Sequence, residues 1–153
     1  MAKFIYFLGG SIGANLLLAV VAISFSEKFV GSPGLCYFVG IATVAAGTIA
    51  IGGFLTEKTG PAATLTFLIL HTAAMISVFA AIHAGFGLHQ AAQPVPWHTA
   101  LYFSIVTWTT LGYGDFTAKS ELQLLAALEA LAGYVFFGLI VGVTTSLISR
   151  TGR

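Results

Sequence analysis

Charge is nearly absent from long stretches of this chain, and that limits what the chain can fold into. After Lys3 the next charged residue is Glu27, after Lys28 it is Glu57, and between Lys58 and Asp115 there is none. Runs of this length match the ~20 apolar residues that a helix needs to cross a ~30 Å hydrocarbon core. Charged residues are 7% of the sequence, where a soluble domain carries about 25%. The chain therefore belongs to the membrane class and reads as one all-α unit. A net charge of +1 gives no basis for nucleic-acid binding. Cys36 is the single cysteine, so no disulfide forms within the chain, and it reads as a small buried hydrophobe.

Four apolar stretches are long enough to span: residues 4–26, 35–56, 62–86 and 121–149. A signal peptide is the rival reading of the first, but its apolar run is long for one. Residues 27–34 form a loop, and 57–61 a tight turn that puts Pro61 at the first position of the next helix. The polar loop 87–96 leads into "WHTALYFSIVTWTT". This stretch is apolar but only about 13 residues long as a helix, too short to cross and suited to a re-entrant half-helix. Four crossings put both termini on one side, with Lys3, Lys58, Arg150 and Arg153. Lys28 and Lys119 lie opposite, and the bias of basic residues places the termini in the cytoplasm.

After the half-helix stands "TTLGYGDF", which fits neither a helix nor a strand pattern. Irregular backbone at membrane depth is tolerated only where it is buried in protein or lines a wet cavity. A bare cation satisfies such backbone, because carbonyl oxygens replace its water shell. Successive carbonyls face one way only if the backbone conformation alternates, some residues taking φ > 0, which glycine tolerates. On this reading Leu111 and Tyr113 point away from the ion, and Thr110 adds a hydroxyl. One such segment supplies oxygens from one side only, so the chain must assemble as a closed ring of copies.

Thr110, Leu111, Gly112, Tyr113, Gly114 and Asp115 resemble the "TVGYGD" signature of potassium channels. Together with the surrounding stretches they resemble the prokaryotic one-pore potassium channels over about residues 62–153. Potassium as the ion comes from this resemblance. It implies an all-α membrane protein with four transmembrane helices, a re-entrant pore helix and an extended selectivity filter, assembled as a homotetramer around a central pore. Residues 1–58 would hold two extra helices without voltage-sensor arginines. Residues 59–153 would hold the pore domain: outer helix 62–86, pore helix 97–109, filter 110–114 and inner helix 121–149. The implied ion-binding residues are Thr110, Leu111, Gly112, Tyr113 and Gly114, supported by Asp115, Tyr102, Thr109 and Trp108. A hydrogen bond from Tyr102 to Asp115 is expected to brace the filter. Valine of the signature is Leu111 here, and the position of a glutamate found behind some relatives' filters is Val106.

The expected activity is passive, potassium-selective conduction in the plasma membrane. Potassium is the transported ion; no organic cofactor and no enzymatic role are expected. A weakly selective cation pore and a non-conducting subunit of a larger complex are the competing readings. Beyond the homotetramer and the bilayer, an auxiliary membrane subunit is a further candidate partner. Gly133 reads equally as an inner-helix hinge or a packing site, and Gly138 with Gly142 as a packing motif. Gly40, Gly47, Gly52 and Gly53, like Gly9, Gly10, Gly13 and Ala14, suggest close helix packing. Glu129 is the one acid inside a spanning stretch. It faces either an aqueous cavity, as a charge for cations, or a pore-helix hydroxyl, Thr107 or Ser104. His83, His89 and His98 fall toward the outer side, without metal-ligand spacing. As a group they read as ordinary interfacial or hydrogen-bonded histidines, or as a pH sensor. His71 reads as hydrogen-bonded to a neighbouring helix.

Overall fold

The computed structural model describes residues 26–56 and 60–151, together with Val20 and Ser24. The apolar stretch 4–26 therefore lies outside the described residues, apart from Val20, Ser24 and Ser26. So do Gly9, Gly10, Gly13 and Ala14, and residues 57–59 of the expected turn.

A 3-10 turn at Ser26–Phe29 leads into helix α1 (Pro33–Thr56). Helix α2 (Pro61–Phe86) begins on the extended Gly60, with Pro61 at its first position where a missing N–H costs nothing. It stops at Gly87, whose φ of 104° only glycine takes easily and whose N–H closes onto the His83 carbonyl at 2.9 Å. Strand β1 (Leu88–His89), helix α3 (Trp97–Trp108) and strand β2 (Thr117–Ala118) follow. A 3-10 turn at Ser120–Leu122 then leads into helix α4 (Gln123–Thr151).

These boundaries adjust the expected ones. The second stretch begins at Pro33 and the third at Pro61, each using its proline as a helix start. The half-helix ends at Trp108, with Thr109 as its cap, one residue earlier than expected. The last stretch opens with a 3-10 turn and is α-helical only from Gln123. The loops on either side of α3, read as irregular, pair through β1 and β2. Leu88 faces Ala118 and His89 faces Thr117 in antiparallel register, so the two connections are clipped together.

Three helices among the described residues are long and apolar enough to cross a membrane, within Pro33–Ile51, Ala62–Phe86 and Ser120–Ser149. The protein is an all-α, multi-pass membrane protein built on these three helices. Helix α2 is the central one, packing against α1, α3 and α4. Its most apolar window is 56% buried, where those of α1 and α4 are 28% buried. Phe67, Met75, Phe79 and Ile82 of α2 form the core with Leu125 and Phe136 of α4 and Trp108 of α3. The outer faces of α1 and α4 stay apolar, with Phe38, Ile49, Leu124, Tyr134, Phe137 and Ile148 all exposed. Helices apolar on all sides suit burial in lipid or against further protein.

Glycine sets the closest approaches. A Cβ on Gly40 would lie 2.6 Å from Leu125 Cδ1, and one on Gly47 2.8 Å from His71 Nε2. Through these two positions α1 lies flat on α2 and α4. At Gly138 and Gly142 no neighbouring residue among those described comes within 4 Å of an added Cβ, so the packing read for them has no partner within the described chain.

Candidate functional site

Helix α3 is 12 residues long. At ~1.5 Å per residue it covers about 18 Å, short of a ~30 Å core. It ends where Thr110 turns left-handed, with φ of 57°, and the amides that follow fold back onto its last carbonyls. Thr109 N–H and its hydroxyl both donate to the Ile105 carbonyl, at 2.9 and 2.8 Å. Thr110 N–H reaches Thr107 O at 3.0 Å, and Leu111 N–H reaches Val106 O at 3.0 Å. Gly112 N–H shares the Val106 oxygen at 3.4 Å.

From there the backbone alternates. Thr110, Gly112 and Gly114 have φ of 57°, 55° and 79°, and Leu111 and Tyr113 between them stay outside the left-handed region. Left-handed backbone is natural for the two glycines but strained for a β-branched threonine, at roughly 1–3 kcal/mol. Such alternation turns successive carbonyls toward a common side, where an ordinary strand would point them to opposite sides. With the amides of residues 109–112 already satisfied by α3, the oxygens are what the segment has left to offer. Among the described residues no donor meets the carbonyls of Thr110, Leu111, Gly112 or Tyr113. Leu111 and Tyr113 are 55% and 66% exposed, so the described residues alone do not enclose this segment.

Asp115 closes the segment. Its Oδ2 accepts from the Tyr102 hydroxyl at 2.8 Å, and its Oδ1 from the Phe116 N–H at 3.1 Å. The Tyr102 ring stands edge-on to Phe116, centroids 6.1 Å apart. The hydrogen bond to Asp115 raises the Tyr102 phenol above its ordinary range, so the proton stays on tyrosine.

Behind α3 lies a packed aromatic wall. Trp108 is buried, 5.6 Å from Phe136 and 6.4 Å from Phe79 between ring centroids. Gly133 of α4 lies directly beneath the Trp108 carbonyl. A Cβ there would collide with that oxygen and sit 2.8 Å from its carbon. Of the two readings of Gly133, close packing has its contact here, against the end of α3.

Glu129 is fully buried, and its Oε2 lies 3.1 Å from His83 Nε2 of α2. Ser104 is buried on the same side of α3 and its hydroxyl looks onto the carboxyl without closing a hydrogen bond. Of the two hydroxyls expected near Glu129, Ser104 is therefore a neighbour, but the bonded partner is His83. Of the hydrogen-bonded, interfacial and pH-sensor readings of His83, the bonded one has a partner here, Glu129, which the sequence does not name. The signal was available, since an ionisable group inside a spanning helix needs a partner on a facing one. His71 is buried between the rings of Phe67 and Phe136, His89 lies in β1, and His98 is exposed on α3. Among the described residues no three His, Cys, Asp or Glu side chains group as metal ligands. Cys36 is buried against Phe29.

Neither curated proteins nor solved structures gave a match to this chain. A protein-family profile described as "Ion channel" matches residues 63–150, which takes in almost all of α2 and of α4, with α3 and the alternating segment between them. That span is more than half of the chain, and the chain belongs to this ion-channel family.

Proposed function

We propose that this protein is the subunit of a homotetrameric, potassium-selective channel that conducts passively across the plasma membrane. In this reading α2 is the outer helix, α3 the pore helix and α4 the inner helix. Residues 59–153 form the pore domain, residues 1–58 a pair of flanking helices, and both termini lie in the cytoplasm. The ion-binding residues are Thr110, Leu111, Gly112, Tyr113 and Gly114, and Asp115, Tyr102, Thr109 and Trp108 support them.

The observation that carries the reading is the alternation of positive φ at Thr110, Gly112 and Gly114, with neighbouring amides returned to α3. That backbone frees a row of carbonyl oxygens, and dehydrated monovalent cations are the ligand such rows recognise. A single row needs copies around an axis to close the coordination shell, and the exposed Leu111 and Tyr113 side chains supply apolar surface for a neighbouring copy. The C-terminal end of α3 adds roughly half a negative charge toward a cation. The TLGYGD sequence, by its resemblance to the potassium-channel signature, favours potassium over sodium.

Purified protein in liposomes tests this. A tetramer in detergent and potassium efflux well above sodium efflux are expected. A monomeric species that passes neither ion would refute the reading.

A further inference from the structure

Three polar side chains enter the apolar interior where α2, α3 and α4 meet. His83, Ser104 and Glu129 are each fully buried. His83 Nε2 and Glu129 Oε2 are 3.1 Å apart, and Phe103 of α3 stands edge-on to the imidazole at 4.7 Å. Besides that bond, His83 Nδ1, Glu129 Oε1 and Ser104 Oγ are buried and have no partner among the described residues. Membrane helices do not carry such groups without consequence. A lone carboxylate in this setting is costly, and removing one member of a buried pair is far more damaging than replacing both by apolar residues.

The pair has two neutral forms, imidazolium with carboxylate and imidazole with carboxylic acid. Both hold one proton on the line between Nε2 and Oε2. Gaining or losing a proton leaves a net charge in the interior. From α2 the carboxyl meets His83, from α3 it faces the unbonded Ser104 hydroxyl, and no further titratable group acts on it among the described residues.

We propose that His83 and Glu129 are positioning residues: a neutral, one-proton tie between α2 and α4 on which α3 is seated. The tie reaches the carbonyl row by a short route. Phe103 and Ser104 rest on the pair, and Ser104 stands two residues before Val106, whose carbonyl holds the amides of Leu111 and Gly112. A shift of α3 therefore moves the row. The consequence for conduction rests on the channel reading above, whereas the tie itself does not.

The experiment uses four versions of the full chain: wild type, E129Q, H83L and H83L/E129L. Melting temperature in detergent and potassium-over-sodium flux in liposomes are each followed from about pH 5 to about pH 8. Wild type is expected to be flat in both. E129Q keeps a polar partner for His83 and should stay within about twofold of wild-type flux. H83L leaves a buried carboxyl alone, so it should melt low and select poorly at high pH. It should recover as pH falls and the carboxyl is neutralised. H83L/E129L should lose that pH dependence. The proposal is overturned if H83L matches wild type at every pH, or if its pH dependence survives in the double variant. It is equally overturned if E129Q changes flux strongly with melting unaltered, because Glu129 then acts as a charge on the ion path. Should H83L not fold, E129Q and the double variant still decide. Should wild type pass no ion, the channel reading fails and the melting profiles alone judge the tie.

Discussion

The Tyr102 hydroxyl reaches from α3 across the following turn and donates to Asp115 Oδ2 at 2.8 Å. Asp115 in turn accepts the Phe116 N–H, so one carboxylate fixes the far end of the segment whose near end is fixed by α3. Tyr102→Phe removes the donor and leaves the ring in place. Its packing on Phe116 should persist, so the fold should survive. The segment's far end should loosen, and current through reconstituted protein should decay several-fold faster under sustained driving force. Unchanged decay and unchanged selectivity would show that the bond braces nothing.

Gly133→Ala places a methyl where the Trp108 carbonyl already lies. Backbone cannot yield as a flexible side chain does, so the helices must separate. Overpacking of this kind costs roughly 1–3 kcal/mol. A lower melting temperature with reduced potassium selectivity is expected. Wild-type stability with altered opening would instead favour a hinge.

Gly112→Ala and Gly138→Ala make a matched pair. At neither position does a neighbouring side chain or packed element among the described residues come within 4 Å of the added methyl, but Gly112 has φ of 55° and Gly138 is helical. A left-handed alanine costs about 1–2 kcal/mol. In a helix, alanine is favoured over glycine by roughly 0.5–1 kcal/mol. Selective flux should collapse in the first variant with little loss of fold. The second should keep the chain's stability or raise it. Loss of assembly in the second would show that a neighbouring copy packs on Gly138.

Gly47→Ala tests the seat of α1. The methyl would press on His71 Nε2 at 2.8 Å and Met75 Sδ at 3.0 Å. Methionine can move aside, but the buried imidazole stacked between Phe67 and Phe136 cannot do so easily. A loss of about 1–2 kcal/mol is expected, by the same overpacking argument. It should be read as a lower melting temperature while potassium-over-sodium selectivity holds, because the atoms nearest the added methyl belong to His71 and Met75 and not to the carbonyl row.

What the sequence revealed was mostly local. Uncharged runs gave the spanning lengths, and the shortness of residues 97–109 gave a helix that cannot cross. The glycines at 112 and 114 gave alternating backbone, and the spacing of Tyr102 and Asp115 gave a pair, through family resemblance. The contacts that lie far apart along the chain were harder. One of the two readings of Glu129 gives it a bonded partner, but His83 is 46 positions away and α2 is apolar along most of its length. Its sequence carries little sign of which face turns inward, since a helix without a polar stripe has no marked direction. The same lack of direction hid the contact of Gly133 with Trp108. The strand clip between Leu88 and Ala118 is two residues long on each side, too short for any periodicity to show.

The central claim is that carbonyls from Thr110 to Tyr113 coordinate a dehydrated potassium ion. The most direct test is the reversal potential of the reconstituted protein with potassium on one side of a bilayer and sodium on the other. The account predicts a potential set almost wholly by potassium, and its loss in Gly112→Ala. A reversal near zero in wild type, with current carried equally by both ions, would contradict it.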